Sequence, residues 1–136
     1  MNKIEEVFFD KKMEYMTLYE EGKIDEALKL IKEVGDSFDE PKVDQDLFYL
    51  LMEDFINICI ESGKIELANK YISLLFASGR GRVDYGDKEF IAGKLAYAQN
   101  DIFLTKELFY MASLKSEGAL LKGNVNKKFR ELIKGM

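Results

Sequence analysis

Gly22-Lys23-Ile24-Asp25-Glu26-Ala27, Gly63-Lys64-Ile65-Glu66-Leu67-Ala68 and Asn100-Asp101-Ile102-Phe103-Leu104-Thr105 are three versions of one signal. In each, a residue that tolerates the left-handed backbone conformation ends one helix. An isoleucine follows two residues later and a small residue (Ala27, Ala68, Thr105) five residues later. The corners start at 22, 63 and 100, spacings of 41 and 37 residues, within the range of helix-pair repeats. The chain reads as an all-α stack of about three antiparallel helix pairs with a C-terminal capping helix, in one domain spanning residues 1–136.

Working outward from the corners, apolar periodicity places the helices. The first is expected over 3–21, with Ile4, Val7, Phe8, Tyr15 and Leu18 inward, and the second over 24–35, with Ile24, Ala27, Leu28, Ile31 and Val34 on one stripe. A third helix over 43–62 is apolar nearly all round, which predicts central burial. A fourth runs over 65–78 with Ile65, Ala68, Ile72, Leu75 and Phe76 inward. A fifth and sixth run over 87–99 and 102–115. A last short helix over 125–134 offers Val125, Phe129, Leu132 and Ile133 to the open end of the stack.

The segments between pairs do not repeat. Residues 35–42 contain the chain's one proline, and residues 78–86 carry Gly79-Arg80-Gly81-Arg82, so both read as loops. The first loop gathers Asp36, Asp39, Glu40, Asp44 and Asp46 around Phe38. It suits a basic protein surface gripped around one aromatic anchor; equally, it is a plain connection in which Asp44 or Asp46 favours a helix start. Arg80 and Arg82 could hold a carboxylate or phosphate bidentately, or be solvated arginines beside a glycine helix stop. Tyr19 and Tyr49 have polar neighbours and are candidates for lining a concave face.

Charge is unevenly divided within a net of −5. Residues 1–68 hold 8 Lys or Arg against 18 Asp or Glu, a balance of −10; residues 69–136 hold 12 against 7, a balance of +5. An acidic front half argues against nucleic acid, which needs concentrated positive charge, and suits a basic protein partner. Cys59 is the lone cysteine, so no intrachain disulfide can form, and its apolar surroundings predict a buried, inert thiol. Met1-Asn2-Lys3-Ile4-Glu5-Glu6 places acids where a signal peptide needs an apolar run. No apolar run approaches the ~18 residues of a membrane span. The expected setting is the cytoplasm, with no membrane partner.

Catalytic chemistry is not written into these residues. The chain has no histidine, the commonest general base and metal ligand. Gly79-Arg80-Gly81-Arg82 lacks the Lys-Ser/Thr ending of a phosphate loop and the preceding strand of a dinucleotide fingerprint. The acidic loops lack calcium-ligand spacing, and Glu53-Asp54, adjacent on a helix, point apart. The expectation is a protein that is not an enzyme and uses no metal or cofactor.

Each helix pair resembles a tetratricopeptide repeat. Ala27, Ala68 and Thr105 match that family's small crossing residue, Ile31, Ile72 and Phe109 its next large apolar site, and Val34, Leu75 and Ala112 the site after that. Gly93 and Ala96-Tyr97 match the small and aromatic sites of a first helix. Tyr15 and Ile56 stand where the first two pairs would have that glycine, so those pairs should pack farther apart. The resemblance implies a right-handed superhelical stack.

The C-terminal third is similar to small acidic bacterial immunity proteins encoded beside polymorphic or contact-dependent toxins. The similarity lies in Ala92-Gly93-Lys94-Leu95-Ala96-Tyr97, Asn100-Asp101-Ile102, Glu107-Leu108-Phe109-Tyr110-Met111-Ala112, Lys115-Ser116-Glu117-Gly118 and Asn126-Lys127-Lys128-Phe129. Ala119-Leu120-Leu121 departs from the family's more basic, aromatic stretch. The resemblance implies a one-to-one complex with a toxin domain, here a basic one. The rival expectation is an adaptor or secretion chaperone that grips an extended peptide in a concave groove.

Overall fold

The computed structural model describes residues 2–136. Seven α-helices follow in order: α1 (Lys3–Glu20), α2 (Ile24–Asp36), α3 (Asp46–Glu61), α4 (Ile65–Ala77), α5 (Asp87–Ala98), α6 (Ile102–Ser116) and α7 (Lys127–Ile133). There is no strand among the described residues. Short 3-10 turns at Lys42–Asp44, Arg80–Arg82, Ala119–Leu121 and Asn124–Asn126 occupy the connections. The third helix therefore starts at Asp46 rather than 43, because Lys42-Val43-Asp44 winds into its own tighter turn.

The three corners share one hydrogen-bond pattern. Gly22, Gly63 and Asn100 have φ of 79°, 74° and 59°. The next residue's N–H reaches back to the last helical turn: Lys23 to the Leu18 carbonyl (2.9 Å), Lys64 to Cys59 (2.8 Å) and Asp101 to Ala96 (3.0 Å). Gly22, Gly63 and Asn100 donate to Tyr19, Ile60 and Tyr97. This paired bonding satisfies carbonyls that a helix end otherwise leaves open. It reverses the chain so that α1 packs on α2, α3 on α4 and α5 on α6.

A fourth copy of this cap ends α6, where Gly118 donates to Ser113 (2.8 Å) and Glu117 to Leu114 (3.4 Å). Here the left-handed residue is Glu117, with φ 54°, a conformation that costs a residue with a Cβ about 1 kcal/mol. Glu117 is exposed. Glu117→Gly is therefore expected to raise stability by about 0.5–1 kcal/mol, read as a higher denaturant midpoint at unchanged slope.

Ala27, Ala68 and Thr105 are all fully buried. In α5, a Cβ on Gly93 would lie 2.8 Å from the Phe109 ring, so α5 and α6 approach most closely of the three pairs. Tyr15 and Ile56 are fully buried at the corresponding places of α1 and α3. Phe48, Leu51, Phe55, Ile58 and Cys59 of α3 lie at the centre of the main core. Burial pushes the Cys59 thiol up to about 11, where it stays protonated at neutral pH.

A second apolar cluster of Phe109, Ala112, Leu121 and Phe129 joins α6 to α7. The Phe129 ring stacks on Phe109 at 4.3 Å and meets Tyr97 edge-on at 5.2 Å. Arg130 ties α7 to the preceding loop by donating to the Leu121 and Gly123 carbonyls, both at 2.6 Å. Val125, expected inward, is instead exposed, as are Ile4, Val7 and Phe76. Ile4 and Val7 sit on α1, which among the described residues packs mainly against α2 and α3.

Candidate functional site

The first helices of successive pairs are tied together at one repeat spacing. The Tyr15 hydroxyl on α1 donates to Asp54 on α3 (2.5 Å), 39 residues along. The Tyr19 hydroxyl donates to Glu61, 42 residues along. Lys94 on α5 donates to Asn57 on α3 (2.8 Å), 37 residues along. These separations lie within two residues of the corner spacings, and α3 contacts both α1 and α5 along its length. Lys12 adds an ion pair to Asp54 (3.3 Å). Tyr19 is thus half-buried and already engaged within the chain.

Tyr49 is not available to an open face. It is 1% exposed and roofed by the second inter-pair loop. Gly79, at φ 60°, crosses it so closely that a Cβ there would fall 2.6 Å from the ring. Arg82 folds back with its guanidinium 5.0 Å from the Tyr49 ring centre and 4.9 Å from that of Tyr85, a placement favoured by cation–π attraction. It donates twice to Asp87, at 3.0 and 2.6 Å. The carboxylate partner of Arg82 is therefore internal, with Nε and one Nη donating to the single oxygen Oδ2. The Tyr49 hydroxyl and Asp87 Oδ1 are buried without a hydrogen-bond partner.

These tyrosines make the fold sensitive to alkali. Burial, then the nearby carboxylate, raises the pKa of Tyr15; burial, then Glu53, raises that of Tyr49. The hydrogen bond to Glu61 pushes Tyr19 up to about 12. A raised folded pKa means the unfolded chain loses these protons first. The stabilisation is whole below pH ~10 and declines above it, at about 1.4 kcal/mol per pH unit for each buried tyrosine. Lys94, lowered by burial, acts oppositely just below that range. A thermal-unfolding series should fall steeply from pH ~10 upward, with late tyrosinate absorbance appearing only on unfolding.

The two inter-pair loops, separate in sequence, meet at one end of the stack. Arg80 reaches Asp44 at 3.3 Å, and Lys115 at the end of α6 donates to the Val83 carbonyl (2.8 Å) and to Glu89 (2.9 Å). The corners lie at the opposite end, where Lys64 pairs with Asp25 at 3.0 Å. At the loop end Asp36, Asp39, Glu40, Asp44 and Asp46 are exposed. Lys42 lies among them, 3.8 Å from Asp36 and 3.9 Å from Glu40. Glu33 and Asp36 also crowd the C-terminal turn of α2, where the helix dipole disfavours carboxylates.

Phe38 is half-buried rather than a free anchor. Its ring packs edge-on against Phe48 (5.7 Å) and Phe8 (6.4 Å). Of the sequence candidates, the five loop carboxylates and Arg80 form one exposed band. Tyr19, Tyr49 and Arg82 belong to internal networks. Lys42 and the Tyr15–Asp54 contact were not singled out from sequence, although the repeat spacing contains the signal for the second.

Among the described residues there is no group of acidic, Cys or His side chains arranged to hold a metal, and no helix is long and apolar enough to cross a membrane. Compared with known proteins, the chain matches no family profile, no curated protein and no solved structure.

Proposed function

We propose that the chain is a cytoplasmic, non-catalytic protein-binding module of tetratricopeptide-like, right-handed stacking, and that it is an immunity protein for a basic toxin domain. The observation that carries this reading is the acidic band at the loop end, where Asp36 and Glu40 are 84% and 79% exposed. The C-terminal resemblance to immunity proteins and the −10 balance of residues 1–68 support the same partner. A peptide-gripping adaptor is less favoured because Tyr15, Tyr19, Asp54, Asn57, Glu61 and Lys94, between neighbouring first helices, are occupied with one another. Complementary fields at such a band speed association and exclude other partners. Co-expression with the toxic protein encoded beside it should restore growth of a sensitive host. Failure of the wild-type chain to protect against that protein would overturn the proposal.

A further inference from the structure

Next to the acidic band, an open cleft of about 530 Å³ runs between α1, α2 and the first inter-pair loop. Phe8, Leu30, Val34, Phe38 and Leu47 line it, and Ile4 and Val7 on its α1 lip are 72% and 53% exposed. Large apolar side chains at the mouth of a ready-made cleft are what an interface hot spot needs: a desolvated pocket for an anchoring residue.

Charge at the mouth selects the occupant. Lys3 and Lys11 stand on the α1 side, but Lys11 is tied to Glu14 at 3.5 Å. Glu33 and Asp39 stand on the opposite side. Among the described residues neither carboxylate has a cation within 4.0 Å. Beyond them the rim continues into exposed Asp36 and Glu40, which share the single cation Lys42.

We propose that this cleft receives an apolar anchor of the basic partner, carried on a segment whose lysines or arginines lie over Glu33, Asp39 and the acidic band. The inference rests on the protein-binding reading above and names the chemistry of the segment bound. Binding of this kind joins a buried apolar contact, which governs dissociation, to a charged rim, which governs encounter.

The probe is an amphipathic helical peptide of leucine, phenylalanine and lysine, with its glutamate-for-lysine counterpart as control. Titrated into isotope-labelled protein, the lysine peptide should shift amide resonances of residues 3–11, 30–39 and 45–47, and the glutamate peptide should not. Ile4→Ser with Val7→Ser, at exposed positions, should weaken binding by about tenfold. Asp39→Lys with Glu40→Lys should weaken it with a loss of salt dependence.

If the charge reversal weakens binding but the serine pair does not, the cleft is not the anchor site while the acidic-band reading stands. Equal binding of both peptides, or shifts elsewhere, overturns the inference. Self-association of the free protein abolished by the serine pair would assign the cleft to a second copy and overturn it likewise.

Discussion

Phe109→Ala should remove about 3–5 kcal/mol of stability, the range for deleting a fully buried aromatic ring. That is a large share of the ~5–15 kcal/mol that holds a domain of this size together. Phe109 is fully buried, stacks on Phe129 at 4.3 Å, lies 5.6 Å from Phe90 and fills the space that Gly93 leaves open. Its loss uncouples α7 from the α5–α6 pair and leaves a cavity that the neighbouring rings cannot collapse into without losing their own contacts. Gly93→Ala is the converse probe. Alanine favours a helix over glycine by about 1 kcal/mol, yet here its methyl would press on a ring confined by two others, and over-packing of that kind costs about 1–3 kcal/mol. Chemical denaturation of both variants decides the matter. A loss under about 1 kcal/mol for Phe109→Ala would mean that the closing helix is not packed as described.

Asp54→Ala should cost about 2–3 kcal/mol, more than Tyr15→Phe. Asp54 accepts from the fully buried Tyr15 hydroxyl at 2.5 Å and pairs with Lys12 at 3.3 Å. Removing the carboxylate strands a buried phenol, which costs about 1–3 kcal/mol in addition to the bond itself. Removing the hydroxyl instead leaves Asp54 with Lys12 and partial access to water, so about 1–1.5 kcal/mol is expected. The double variant should recover part of the sum, a coupling of about 1 kcal/mol between α1 and α3. Tyr15→Phe should also shallow the decline of stability above pH ~10, because one of the protons held by the folded state is gone. Strict additivity would show that the two side chains do not interact.

The helix boundaries were legible because each corner needs a residue that accepts positive φ, and Gly22, Gly63 and Asn100 announce it. The end of α6 was also placed to within a residue, 115 against Ser116, but its left-handed cap was not legible, because Glu117 adopts the conformation without the chemistry that normally signals it. The buried small residues followed from spacing alone. Ile4 and Val7 did not follow: helical periodicity assigns them a face, but whether that face is covered depends on there being a helix beyond α1.

The loop residues divide in the same way. Exposure of the carboxylates from 36 to 46 was readable from their density. Arg82 and Tyr49 were misplaced because their partners, Asp87 and the Gly79 backbone, come together only when the loop folds back across α3. Arg80, two residues earlier, escapes that fold-back and meets the acidic loop instead, with its side chain 75% exposed.

The central claim is that a basic partner is held at the loop end of the stack, and two variants of equal charge test it most directly. Asp39→Lys with Glu40→Lys alters the acidic band; Glu20→Lys with Glu26→Lys makes the same change in net charge at exposed positions near the opposite, corner end. Each is expressed with the basic toxin domain that the proposal assigns as partner, and growth is measured. The wild type and the corner-end variant should protect, while the loop-end variant should lose protection, with affinity lower by about tenfold or more at low salt. Protection by the loop-end variant equal to that of the wild type would contradict it.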